Sequence, residues 1–185
     1  VEMDGTFLEL ELRRLPRIDL AYTRAIGPYC SPELYSTLLH ALSDSLKRSD
    51  GAPSPTASYT IFHDHPGITP PEKCRVSMGF PITPGHTPSP DLGTLSIPPC
   101  WQVCCTLIFS RNNHWGAPLK TLTSRWLPQE GLIMSRFPPH ILLSPLPDTP
   151  LPEGKIEIHI PVVPAPGLRN PLRKTDPASA IGNAS

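Results

Sequence analysis

Residues 57–82 read ASYTIFHDHPGITPPEKCRVSMGFPI, and this stretch decides the fold. It opens with strand-forming residues that end at Phe62. Pro66 and Gly67 then break the strand, because proline cannot donate to a ladder and glycine tolerates a positive φ. Alternation resumes afterwards, and the residues expected to share one face of the next strand are Cys74, Val76, Met78, Phe80 and Ile82. The stretch therefore predicts two strands joined by a tight turn.

The turn also carries a specific pattern of residue types. In order, its residues are Asp64-x-Pro66 and Thr69-Pro70-x-Glu72-Lys73-x-Arg75. This pattern resembles the GyrI-like domain, the small-molecule-binding module of gyrase-inhibitory and multidrug-sensing proteins. Gly27-Pro28-Tyr29 resembles a turn that the family carries after its second strand. The resemblance covers about residues 7–163, and it implies an architecture more directly than an activity.

The same order of strand and helix signals occurs twice along the chain. Apolar residues alternate in the predicted strands and recur at helical spacing in the predicted helices. The elements predicted for the first half are strands over 7–14 and 17–26, a helix over 31–50 and the two strands of 57–82. Those predicted for the second half are strands over 92–97 and 101–109, a helix over 115–127 that Pro128 stops, and strands over 140–144 and 155–163.

The repeated order predicts an α+β fold made of two β-β-α-β-β halves, residues 6–82 and 92–163. Each half alone would leave a sheet edge and an apolar helix stripe poorly covered, so the halves should share one antiparallel sheet. We expect a single domain over 6–163 with pseudo-twofold symmetry. Both helices should lie on one face of the sheet, with a ligand groove on the other. Residues 164–185 are predicted to form a flexible, proline-rich tail.

Composition limits the classes of function. The 185 residues are enough for one domain, and 16 Lys and Arg balance 16 Asp and Glu, which argues against direct binding to nucleic acid. No apolar run could span a bilayer and no leader opens the sequence, so we expect a cytoplasmic protein with no membrane partner. Nothing before the first strand could hold a helix-turn-helix, which argues against a one-chain transcription factor unless the chain is a fragment.

The cysteines are interpreted as small apolar residues in a reducing compartment. They are odd in number, lack C-x-x-C spacing and are Cys30, Cys74, Cys100, Cys104 and Cys105. The alternative is a zinc or redox site, because they cluster loosely with histidines. Since the histidine spacing fits no usual site, we expect no metal, no cofactor and no disulfide.

The resemblance also implies where a ligand would bind. Ligands of the family are often flat and cationic, and a carboxylate in a pattern like P-x-F-E-x-Y meets the cation. In this chain, Ile141 takes the place of the acid and Leu143 that of the tyrosine. No acid occurs from residue 131 to 147. We therefore expect neutral aromatic ligands to bind better than cationic ones, and Ile141→Glu to reverse that order.

Four further residues complete the predicted ligand-binding set. Tyr29, Trp101 and Trp115 are aromatic candidates for stacking on a flat ligand. Glu157 alternates with isoleucines on the last predicted strand, so it should face away from the helices. For each of the four, packing or solvation alone is the alternative interpretation.

We expect a GyrI-like domain that binds small hydrophobic or aromatic molecules and is not an enzyme. One alternative is a hydrolase of reactive cyclopropane-type xenobiotics, which would need a carboxylate or cysteine facing the groove. Catalytic residues for it are not identified, because the sequence contains none of the common hydrolase motifs. The other alternative is a protein-interaction inhibitor of the gyrase-inhibitor type, which would show an exposed apolar patch outside the groove.

Overall fold

The computed structural model of the protein describes residues 2–3, 6–7, 9–48, 57–65, 67–83, 87–109, 116–143, 154–167 and 172. The strands are β1 (Glu2–Met3), β2 (Thr6–Phe7), β3 (Glu9–Leu15), β4 (Ile18–Ile26), β5 (Ser58–Phe62), β6 (Arg75–Pro81), β7 (Gly93–Ile97), β8 (Cys100–Phe109), β9 (Leu132–Met134), β10 (His140–Leu143) and β11 (Gly154–Pro164). The helices are α1 (Pro32–Arg48), α2 (Gly116–Thr121) and α3 (Leu127–Gln129), and a π-helical turn (Leu122–Trp126) joins α2 to α3.

Eight strands form one antiparallel sheet in the order β3-β8-β11-β10-β5-β6-β4-β7, with β9 added beside β11. The counterparts of β3, β4, β5 and β6 in the second half are β7, β8, β10 and β11. When each strand is replaced by its counterpart, the same order results in reverse. The symmetry axis therefore passes between β5 and β10. The first strand of each half pairs inside the other half, since β3 pairs with β8 and β7 with β4. The predicted α+β fold of two related halves is confirmed.

One face of the sheet packs against both helices. The core on this side, which we call the helix-side core, includes Leu38 and Leu42 of α1 and Leu122 and Leu127 of the second helical segment. The strand residues that meet them alternate along β6, β8, β10 and β11: Val76, Met78, Phe80, Val103, Cys105, Leu107, Ile141, Leu143, Ile156, Ile158 and Ile160. The predicted apolar face of residues 74–82 is thus confirmed, and both helices lie on one side.

The turn between β5 and β6 is held by Asp64. One carboxylate oxygen accepts hydrogen bonds from the backbone N–H of Arg75 at 2.7 Å and from its Nε at 2.9 Å, and the other accepts from Nη2 at 2.8 Å. Tyr29 adds a second tie, because its hydroxyl lies 2.9 Å from the carbonyl oxygen of Arg75 and 3.0 Å from the backbone N–H of Asp64. The sequence pattern that carries the family resemblance therefore builds this turn.

Helix α1 begins as the sequence predicts. The Ser31 hydroxyl accepts a hydrogen bond from the backbone N–H of Leu34 at 3.4 Å, and Pro32 occupies the first helical position. Tyr35 is fully buried and its hydroxyl donates to the carbonyl oxygen of Tyr29 at 2.7 Å. This bond ties the start of the helix to the preceding turn.

The second helical segment differs from the prediction at its end. Pro128 does not stop it, because α3 continues to Gln129. Before the proline, the helix widens into the π-helical turn, and the N–H of Leu127 bonds the carbonyl oxygen of Leu122. A wider turn relieves the clash between a proline ring and the preceding carbonyls, which explains why the segment tolerates Pro128. No helix in the described part of the chain has the length and apolar character that a membrane crossing needs.

Candidate functional site

Two rows of side chains cross the sheet on the face away from the helices, which we call the helix-free face. Cross-strand registers define the first, the half-exposed row: Thr106, Glu157, Leu142, Tyr59, Gly79, Tyr22 and Gly93. The second, the histidine row, lies two residues away along each strand: Glu11, Cys104, His159, His140, Ile61, Ser77 and Arg24. Neither row contributes to the helix-side core. Because residues two apart share a face of a strand, the rows form one surface.

The two rows differ in exposure. Most members of the half-exposed row are partly accessible, whereas Cys104, His159, His140, Ile61 and Ser77 of the histidine row are buried. A ligand would therefore touch the half-exposed row first, above a buried polar floor.

Two tyrosines flank a glycine in the half-exposed row. Gly79, which is buried, stands between Tyr59 and Tyr22 on the intervening strand, so the position between the two tyrosines has no side chain of its own. Two strand spacings put the tyrosine backbones about 9.5 Å apart. The Tyr22 ring lies over Gly93, where an added Cβ would fall 2.6 Å from Cζ. Planar rings stack at about 3.5–4 Å, and twice that distance is close to the separation of the two tyrosine backbones.

Glu157 lies on the helix-free face, but both of its oxygens are occupied. Oε2 is 2.6 Å from Nη2 of Arg13, and Oε1 accepts a hydrogen bond from Nε2 of His159 at 2.6 Å. Burial raises the pKa of Glu157, but the hydrogen bonds from Arg13 and His159 outweigh it, and the net pKa lies below the ordinary value. The carboxylate is therefore ionised and already neutralised by the protein.

The buried histidines are neutral and carry free lone pairs. Nδ1 of His140 lies 3.1 Å from the carbonyl oxygen of Pro138 and donates to it, and burial lowers the pKa of His140 to about 4. Burial also lowers the pKa of His159, against the opposing effect of its bond to Glu157. Nε2 of His140 and Nδ1 of His159 have no hydrogen-bond partner among the described residues. Both nitrogens can therefore accept a donor or bind a metal ion.

The opposite end of the face is also polar. Arg24 donates to the Ser77 hydroxyl at 3.3 Å and to the Tyr22 hydroxyl at 3.0 Å, and its guanidinium lies 5.1 Å from the centre of the Tyr22 ring. His63 shares a 2.8 Å hydrogen bond with Ser77. Burial and the charges of Arg24 and Arg75 lower the pKa of His63 to about 4. This end therefore presents a cation beside a neutral histidine.

The structure separates the predicted ligand-binding residues. Of the five that lie in the described residues, only Glu157 is on the helix-free face; Tyr29 holds the β5–β6 turn, and Trp101 packs against the helix-side core. Ile141 and Leu143 are in that core, which corrects the expectation that they line the groove. Consecutive strand residues face opposite sides, so a one-residue shift of the inferred alignment would put His140 and Leu142, which lie on the helix-free face, in the two expected places. Trp115 lies outside the described residues.

Sequence reasoning missed Tyr59, His140 and Cys104 as members of this face. The strands that contain these residues were predicted. Strict alternation would have placed His140 and Cys104 on the face away from the core, because their neighbours Ile141 and Cys105 belong to the core. Which strands lie side by side could not be read from the sequence, because the paired residues of β8 and β11 are 45 to 59 residues apart along the chain.

Comparison with known proteins agrees with this architecture. The profile of the GyrI-like small molecule binding domain matches residues 8–163, and the chain belongs to this family. A comparison with curated proteins gave no match.

Three solved structures are similar in fold. The EcmrR C-terminal domain has a TM-score of 0.64 and 16% identity over 85% of this chain and 99% of that one. EcmrR in its DNA complex has a TM-score of 0.64 and 15% identity, and the match spans 84% of this chain and 57% of that one. A hydrolase from Listeria innocua has a TM-score of 0.51 and 12% identity over 83% and 91%. At such identities, the likeness concerns the fold alone.

Proposed function

We propose that the protein binds small, flat, neutral aromatic molecules on the helix-free face, between Tyr59 and Tyr22. The observation that carries this proposal is the position at Gly79, which has no side chain and is flanked by two partly accessible tyrosines. Tyrosine rings stack on planar ligands, and Leu142 extends the apolar surface beside Tyr59. Unpartnered acceptors on the neighbouring histidine row favour ligands that also carry a hydrogen-bond donor.

The preference for neutral ligands rests on charge. The carboxylate that faces the site, Glu157, is paired with Arg13 and His159, so it offers little to a ligand cation. The Arg24 guanidinium lies 5.1 Å from the centre of the Tyr22 ring, so its positive charge repels a cationic ligand that approaches this tyrosine. The sequence supports the preference for neutral ligands because no acid occurs from residue 131 to 147. The structure supports it because Glu157, which does face the site, is already paired.

The hydrolase alternative is weaker on the same observations. Glu157 and Cys104 do lie on the helix-free face, as that alternative requires. However, the hydrogen bonds on Glu157 keep it ionised, which makes it a poor proton donor. Burial raises the pKa of Cys104 to about 11, so the thiolate that a nucleophile needs is scarce.

The interaction alternative would need a contiguous apolar patch. The large exposed apolar residues of the described chain are Ile26, Ile68, Ile108, Ile133 and Val163. Of these, Ile133 and Val163 are cross-strand partners, and a pair is too small to indicate an interface. We keep the cytoplasm as the proposed compartment, which the five free cysteines support.

The test is a titration with two ligands that share one ring system. Acridine is neutral in mildly alkaline buffer, and N-methylacridinium carries a permanent charge. We expect acridine to bind the wild type more tightly, and Tyr59→Ala to weaken acridine by about fivefold, since a stacked aromatic pair contributes about 1 kcal/mol. Tyr29→Phe, which alters a tyrosine of the turn, should leave both affinities unchanged.

A second variant tests the predicted preference for neutral ligands separately from the predicted location of the site. Arg13→Gln frees one oxygen of Glu157, so N-methylacridinium should gain affinity relative to acridine. If the wild type prefers the cation, the charge argument is wrong. If Tyr59→Ala has no effect on either ligand, the proposed site is wrong.

A further inference from the structure

We infer that Cys104, Glu157 and His159 form a binding site for a divalent zinc-like metal ion. One ligand atom from each of the three residues lies within 4.8 Å of the others, on the neighbouring strands β8 and β11. Thiolate, carboxylate and imidazole are the donors that Zn²⁺ takes in proteins. The site takes Cys104 and His159 from the histidine row and Glu157 from the half-exposed row, and the inference does not depend on the proposed aromatic ligand.

The sheet register brings the three donors together. Cys104 pairs directly with His159 across β8 and β11, and Glu157 precedes His159 by two residues on the same face. Cys104 and His159 are 55 residues apart along the chain, so no local spacing in the sequence indicates that these donors lie together. The expectation that the chain has no metal site was drawn from local spacing alone.

Only a small adjustment is needed to admit the ion. Two ligands of a tetrahedral zinc lie about 3.4 Å apart, whereas Oε1 of Glu157 and Nε2 of His159 are now 2.6 Å apart. The contact must open by less than about 1 Å. Arg13 can keep its bond to Oε2 meanwhile, as hydrogen bonds to ligating carboxylates commonly do. His159 changes tautomer, so that its proton moves from Nε2 to the unpartnered Nδ1 and Nε2 can bind the ion, and Cys104 releases its thiol proton to solvent as it binds.

A second observation points to a ligand at this place. His140 pairs with His159 on the adjacent strand, is fully buried and has an unpartnered Nε2. The two imidazole rings are 5.3 Å apart. A buried nitrogen without a partner is costly, and a fourth coordination position or a metal-bound water would satisfy it.

The test uses Co²⁺, which gives a thiolate charge-transfer absorption when cysteine binds it. We expect one equivalent of Co²⁺ to produce this band in the wild-type protein, and Zn²⁺ to abolish it, because Zn²⁺ binds such sites more tightly. A matched pair of cysteines supplies the control. Cys104 and Cys105 are neighbours and both are 1% exposed, but Cys105 belongs to the helix-side core.

Cys104→Ala should lose the band and Cys105→Ala should keep it. His159→Gln should weaken Co²⁺ binding by at least about tenfold, which provides a second variant if Cys104→Ala does not fold. The inference is overturned if the wild type gives no thiolate band, if Cys104→Ala retains it, or if Cys105→Ala alone abolishes it. Surface histidines cannot produce the band, so weak binding by them does not affect the result.

Discussion

Asp64 is the residue that holds the β5–β6 turn, through three hydrogen bonds to Arg75. The hydrogen bond from Arg75 is the main reason why the pKa of Asp64 is lowered from 3.8 to about 2. A lowered folded-state pKa means that the carboxylate stabilises the fold fully above its ordinary pKa. This contribution is lost as the pH falls through about 2.

We therefore predict that Asp64→Asn lowers the free energy of unfolding by about 1–2 kcal/mol near neutral pH, because charge-assisted hydrogen bonds are lost. The difference from wild type should shrink between about pH 4 and pH 2. Urea denaturation across this range measures it, with Glu72→Gln as the exposed control in the same turn. A difference that stays constant down to pH 2 would contradict this role of Asp64.

The neighbours Ile141 and Leu142 face opposite sides of β10. Ile141 is 1% exposed in the helix-side core, whereas Leu142 belongs to the half-exposed row. Ile141→Glu should cost more than about 4 kcal/mol or prevent folding, because it removes a buried side chain and buries a carboxyl group. Leu142→Glu should cost about 1–2 kcal/mol.

Chemical denaturation of the two variants measures the contrast. Equal costs would mean that the strand is not oriented as described. The same orientation removes Ile141→Glu as a means of attracting cations, since its carboxyl group would lie among the core residues rather than at the ligand.

At the scale of elements, β6 lies unusually close to β4 at Gly79. A Cβ added there would lie 2.5 Å from the backbone oxygen of Ala21. At Gly93 an added Cβ would instead meet the Tyr22 ring, which can rotate away. Gly79→Ala should thus cost about 1–3 kcal/mol, and Gly93→Ala less than about 1 kcal/mol.

Gly93→Ala should affect ligand binding more than stability, because the added methyl group displaces the Tyr22 ring, which lies beside the proposed ligand position. Parallel thermal unfolding and acridine titrations distinguish the two effects. If Gly79→Ala proves harmless, the close approach of β4 and β6 is not a constraint on this sheet.

Much of this element structure could be predicted from the sequence, and the reasons are local. Period-two alternation located β6 and β11, and Ser31 with Pro32 located the start of α1. Pro128 misled, because the π-helical turn that accommodates it has no sequence signal of its own. The residues of the site could not be predicted, because the site depends on which strands are adjacent and on which face of the sheet each side chain lies. A one-residue error reverses the face, and the local pattern does not identify adjacent strands.

At the scale of the whole molecule, the two halves exchange their first strands. Among the strands that the structure describes, β3 of the first half pairs only with β8, and β7 of the second half pairs only with β4. We predict that residues 1–83 and 84–185, prepared as separate peptides, are each unfolded or aggregated, because each would expose two unpaired edges. Mixing them should restore the native far-UV dichroism.

Size-exclusion chromatography of each peptide and of the mixture tests this. Either peptide folding alone as a stable monomer would contradict the interdependence of the halves. Partial recovery in the mixture, with the native spectrum, would support it.

The ligand is proposed to bind on the helix-free face. The most direct measurement is a set of intermolecular nuclear Overhauser effects between bound acridine and the leucine methyl groups. Leu142 and Leu143 are neighbours in β10 on opposite faces, so they report on the two sides of the sheet. We predict contacts from acridine to Leu142 and to the Tyr59 ring, and none to Leu143 or Leu38. Contacts to Leu143 and Leu38 would place the ligand between the sheet and the helices, which would contradict binding on the helix-free face.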